Sequence, residues 1–167
     1  MKRAILLLAG LLAASNALAA PAKGVWYAGL GVGAAENTLD RYGDSGAWHL
    51  LGGYQMQERL AFEIDYLNLG EYKNNAALID GLAFGVLGIA ALSQRVSLQG
   101  RLGLLSWSHN HRYPPKSIST GTAPLYGLNL AVQVEPKVQV RIGWQKFLGV
   151  ADAYITLITG DVIYFFK

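Results

Sequence analysis

From residue 25 onward, apolar residues alternate with polar or small ones at a period of two. That period puts successive side chains on opposite faces of a strand. Eight strand-sized segments follow, at about 25–34, 46–55, 59–68, 77–91, 95–105, 124–134, 137–147 and 154–166. In the third, Leu60, Phe62, Ile64 and Tyr66 oppose an odd face carrying Glu63 and Asp65. In the fifth, Val96, Leu98, Leu102 and Leu104 oppose Ser97, Gln99, Arg101 and Gly103. The sixth, seventh and eighth repeat this parity, with Gln139 and Arg141, then Thr159 and Asp161, on their odd faces. The first sets Trp26, Ala28, Leu30 and Val32 against Gly29, Gly31 and Gly33. The fourth is apolar on both faces, so the pattern leaves its facing open.

The connections alternate in length. Tight turns are expected at Gln55–Arg59, Leu92–Gln94 and Glu135–Lys137, and longer polar loops at about 35–45, 69–76, 106–123 and 148–153. Short turns at one end, long loops at the other and an even strand count describe an antiparallel up-and-down barrel. Trp26, Tyr54, Tyr66, Tyr126, Trp144, Tyr154, Tyr164 and Phe166 fall near strand ends, where interfacial aromatic girdles belong. The rival is a soluble eight-stranded barrel with its apolar face inward. The glycine-only face of the first segment favours a narrow lumen over a soluble surface.

Composition points the same way. Apolar residues make up 52% of the chain and charged ones only 15%, with no stretch after the leader long enough for a membrane helix. Lys2 and Arg3, the apolar run Ala4–Ala14 and the small residues Ala17 and Ala19 read as a signal peptide over 1–19, cleaved after Ala19. Residues 20–167 then form one barrel domain. The leader removes two basic residues, so the net charge falls from +3 to +1 and gives no reason to expect nucleic-acid binding. Cysteine is absent, which rules out disulfides and thiolate metal sites. The expected fold is all-β: an eight-stranded antiparallel up-and-down transmembrane β-barrel behind a cleaved signal peptide.

Several stretches resemble the transmembrane β-barrel domain of the outer-membrane protein A type. They are Trp26–Gly29, Gly52–Gln55, Leu60–Tyr66 with Leu69–Gly70, Gly100–Gly103, Val140–Gln145 and the ending Thr159–Phe166. The resemblance implies an integral outer-membrane protein of Gram-negative bacteria, delivered by the barrel-assembly machinery and surrounded by outer-membrane lipids and lipopolysaccharide. A monomer is expected. Family members commonly end on an aromatic residue, whereas here Lys167 follows Phe166. The periplasmic peptidoglycan-binding domain of many relatives is not expected.

Candidate chemistry is sparse. Glu63, Asp65, Arg101, Arg141 and Asp161 would converge in a lumen only a few side chains wide, as a structural ion-pair network or, on a sharper reading that the family suggests, a narrow gated pore. His109 and His111 share one face of an extended strand and form a possible weak metal site; no cofactor is expected. Ser106 or Ser108 with either histidine, oriented by Asp40 or Asp44, would be needed for the alternative function, a lipid A acyl hydrolase. Arg41, Tyr42, Tyr72, Lys73, Arg112 and Lys116 are loop groups suited to anionic headgroups or a surface contact. The expected role is a non-enzymatic barrel serving envelope integrity and surface contact, with at most narrow pore activity.

Overall fold

A computed structural model describes residues 23–37, 44–72, 77–111, 118–151 and 153–166. Its strands are β1 (Val25–Asn37), β2 (Asp44–Gln57), β3 (Leu60–Tyr72), β4 (Ala77–Ala91), β5 (Val96–His111), β6 (Ile118–Glu135), β7 (Val138–Val150) and β8 (Ala153–Phe166). Each pairs antiparallel with its neighbour in sequence, and β1 pairs with β8 to close the barrel. Closure leaves no free edge, as a sheet in hydrocarbon requires.

The register fixes the tilt. Cross-strand partners followed from Ala90 through Leu98, Leu130, Ile142, Gly160, Val32, Trp48 and Asn68 return to β4 at Asp80, ten residues away. At ~3.3 Å per residue and ~4.8 Å between strands, this stagger inclines the strands by about 40°. One circuit then rises about 25 Å, close to the apolar band of an outer-membrane barrel.

One parity holds through the body of all eight strands: odd-numbered side chains point inward and even-numbered ones outward. It settles β4, where Ile79, Ala83 and Leu87 are buried and Leu82, Phe84 and Val86 are exposed. The outward residues form an apolar belt in which Leu102 is 69% and Leu128 53% exposed. Toward the loop end this face turns polar at Asn68, Asp80, Ser106, Thr122 and Thr156.

The strands outrun their expected limits at that end. The anticipated loop 106–123 is mostly a β5–β6 hairpin, with Ser106 paired to Thr122 and Asn110 to Ile118. Above the belt the outer face meets water, so the rule of apolar outside and polar inside lapses. Ser106 and Ser108 turn outward while Trp107 and His109 turn in. The loop expected at 148–153 is a tight connection, with Gly149 at φ 84° and Ala151 at φ 49°.

The lumen is filled at three levels. Toward the loop end it is apolar, packed by Leu67, Leu69, Ile79, Leu105, Leu125, Phe147, Ile155 and Leu157. Toward the turn end a smaller cluster gathers Tyr27, Leu51, Leu87, Ile163 and Phe165. The charged groups lie between. Apolar filling corrects the expectation of a polar or small-residue interior and explains why β4 carries apolar side chains on both faces.

Candidate functional site

Parity brings Glu63 and Asp65 (β3), Arg101 (β5), Arg141 (β7) and Asp161 (β8) into one layer. The guanidinium of Arg141 donates from Nη1 to Glu63 Oε1 at 2.6 Å and from Nε to Asp161 Oδ2 at 2.7 Å. Arg101 pairs through Nη2 with Asp65 Oδ2, approaches Glu63 Oε2 at 3.6 Å and donates to Gln145 Oε1 at 3.2 Å. Both arginines are only 1% exposed. Planar guanidinium groups suit this layer because each serves two acids at once.

Three members of the layer were not singled out from the sequence. His49 Nε2 sits 3.0 Å from Asp161 Oδ1, Tyr27 Oη donates to Glu63 Oε1 at 3.2 Å, and Gln145 accepts from Arg101. The available signal was parity: all three are odd-numbered, and His49 lies directly across from Gly31 in the register. Glycine makes the space. A Cβ on Gly31 would meet the imidazole of His49 and the carboxylate of Asp161; one on Gly85 would meet Arg101, and one on Gly53 the ring of Tyr27.

The aromatic residues anticipated at strand ends all project from the outer face. Trp26 packs on Tyr54 at 4.8 Å between ring centroids and Tyr164 on Phe166 at 5.4 Å, all at the turn end. Toward the loop end Tyr126 packs on Trp144 at 5.7 Å, and Tyr66 on Trp48, which was not foreseen, also at 5.7 Å. The ammonium of Lys146 lies 5.5 Å above the ring of Tyr154.

Among the described residues the remaining candidates are not brought together. Ser106 and Ser108 face outward whereas His109 is buried in the lumen, so parity separates the nucleophile from the base that a hydrolase would need. Among the described residues no group of three His, Asp or Glu side chains is placed to hold a metal ion. The proposed signal peptide lies outside the described residues, as do Asp40, Arg41, Tyr42, Lys73, Arg112, Lys116 and Lys167. The side chains of Asp44, Tyr72 and His111 lie outside them too.

Comparison with known proteins gives a consistent picture. A family model described as "Outer membrane protein beta-barrel domain" matches residues 4–161. Among solved structures, the attachment invasion locus protein Ail of Yersinia pestis is similar with a TM-score of 0.65 at 13% identity, over 86% of this chain and 99% of that one. Neisserial surface protein A aligns with a TM-score of 0.64 at 16% identity, over 85% and 97%. The N-terminal β-barrel domain of OprF from Pseudomonas aeruginosa aligns with a TM-score of 0.63 at 9% identity, over 84% and 97%. At these identities the likeness concerns the fold alone. No curated protein sequence matches the chain.

Proposed function

Because the chain belongs to the outer membrane protein β-barrel domain family, we propose that it acts as a non-enzymatic structural barrel of the outer membrane with a closed lumen. It is an integral protein of the bacterial outer membrane. The observation that carries the proposed role is the filling of the lumen: a charged layer with an apolar plug above it and an apolar cluster below. Side chains fill an eight-stranded interior, and this filling leaves slow leakage as the most the barrel passes.

The role in the envelope follows from the outer face. Its belt engages lipid, the two aromatic groups engage the interfaces, and Lys146 over Tyr154 offers a cation to the phosphates of lipopolysaccharide. The loops supply surface contacts, and the protein works as a monomer inserted by the barrel-assembly machinery. Two measurements test this reading. Liposomes carrying the barrel should swell in small sugars no faster than protein-free ones, and cells lacking the gene should become more sensitive to detergent. Rapid swelling refutes the closed lumen, and unchanged sensitivity refutes the envelope role.

A further inference from the structure

The acidic side chains of the lumen layer outnumber its guanidinium groups. Glu63, Asp65 and Asp161 bring three carboxylates, but Arg101 and Arg141 bring only two guanidinium groups. Of the other described Lys and Arg residues, Arg95 lines the turn-end cavity below the layer, and the rest lie at the turn end or on the outer face. A bare excess charge among side chains this deeply buried is costly, so the layer calls for one more positive charge. His49 stands where that charge is needed, its imidazole buried and its Nε2 bonded to Asp161.

Access to the layer is one-sided. A cavity of about 60 Å³ opens at the turn end between Gln55, Gln99, Gln133 and Gln139 and reaches Glu63 and Arg141. That is room for a few waters among polar partners. On the other side Leu67, Leu105, Leu125, Phe147 and Leu157 are almost wholly buried and leave no matching entry among the described residues.

We propose that the lumen layer is a one-proton site, loaded from the turn end, in which the His49–Asp161 contact holds the proton that balances the three carboxylates. The proposal rests on the closed-lumen reading above. The proton comes from solvent and adds to the layer without breaking a covalent bond. His49 faces Asp161 from β8 and Gly31 from β1, and Asp161 joins it to the rest of the layer: Arg141 from β7, Glu63 and Asp65 from β3, Arg101 from β5 and Tyr27 of β1 on Glu63. When the proton leaves, the layer carries one net negative charge. Water and small cations are then drawn up from the cavity, and the barrier thins.

The test uses the full barrel in lipid. In nanodiscs, NMR should show the histidine ring signal lost in His49→Gln titrating together with the Nε–H signal of Arg141. An Arg141 signal indifferent to pH, or ring nitrogen signals showing that His49 carries a proton on only one nitrogen in the loaded layer, overturn the proposal. In liposomes, His49→Gln should raise potassium leakage several-fold at neutral pH. Adding Asp161→Asn to it should return leakage to the wild-type level, because two carboxylates then face two guanidinium groups. A double variant that leaks as much as the single one assigns His49 to packing and overturns the proposal. Variants that fail the heat-shift gel test leave the nanodisc titration to decide. Rapid entry of small sugars through the wild-type barrel would instead sink the closed lumen, which keeps the two failures apart.

Discussion

Replacing Arg141 with Met keeps a long side chain and deletes its charge. Arg141 is bonded to Glu63 at 2.6 Å and to Asp161 at 2.7 Å, and all three side chains are at most 1% exposed. Removing one partner from a buried ion network leaves the others uncompensated, which costs about 3–5 kcal/mol. The folding equilibrium should therefore fall roughly a hundredfold to several thousandfold. A triple variant that also carries Glu63→Gln and Asp161→Asn removes the stranded charges, and its loss should stay below about 2 kcal/mol despite three substitutions. Reversible urea unfolding in lipid vesicles, followed by tryptophan fluorescence and by gel migration, measures both. A loss under about 1 kcal/mol for the single variant means that water screens the layer's charges freely and refutes the buried, paired arrangement. A triple variant as unstable as the single one would show that packing, rather than charge pairing, sets the cost.

Other consequences are as direct. Leu128→Arg, in the middle of the outer belt, should cost about 2–4 kcal/mol in the same unfolding assay, whereas Ile118→Arg at the hairpin tip should cost almost nothing. Phe147→Ala should open a void in the apolar plug, lower stability by about 3–5 kcal/mol and raise liposome leakage; unaltered leakage would place the main barrier in the charged layer. Gly53→Val would force the ring of Tyr27 aside, and overpacking of that kind costs about 1–3 kcal/mol; a neutral result would mean that the ring is not held over this glycine. Because the chain lacks cysteine, Ile118→Cys and Glu58→Cys report orientation. A membrane-impermeant maleimide on intact cells should label the first and not the second, and the opposite pattern would invert the barrel.

The strand count and the grouping of the five charges on one face could be read from alternation, while the choice of that face as the inward one needed the glycines of β1, the strand-end aromatics and the low charge as well. Within the belt, lipid outside and a narrow lumen inside impose opposite demands on successive residues. Legibility failed where one of those demands changed. In β4 the apolar plug asks for Ile79, Ala83 and Leu87 on the lumen side, so lipid face and lumen face look alike. Above the belt the outer face is wet, and the β5–β6 hairpin could pass for a loop because its outward residues are Ser106, Ser108, Thr120 and Thr122. His49 was hidden between Trp48 and Leu50, both outward apolar residues, and gave no cue beyond its odd number. Its partner Asp161 lies 112 positions away, a pairing that only the closed ring supplies.

The way the layer is divided among strands bears on how the barrel comes into being. Arg141 and Asp161 are direct cross-strand neighbours on β7 and β8, so that contact can form within a single hairpin. His49 reaches Asp161 only across β1, which means only after β1 has joined β8 along the seam from Trp26–Phe166 to Asn37–Ile155. Glu63 meets Arg141 only when the sheet has curled far enough for β3 to face β7. An unclosed sheet thus exposes both its free edges and its unmatched ions, and zipping the seam relieves both together. Closure is therefore set up as a single all-or-none event, with the charged layer acting as the clasp that makes a half-shut ring unfavourable in lipid.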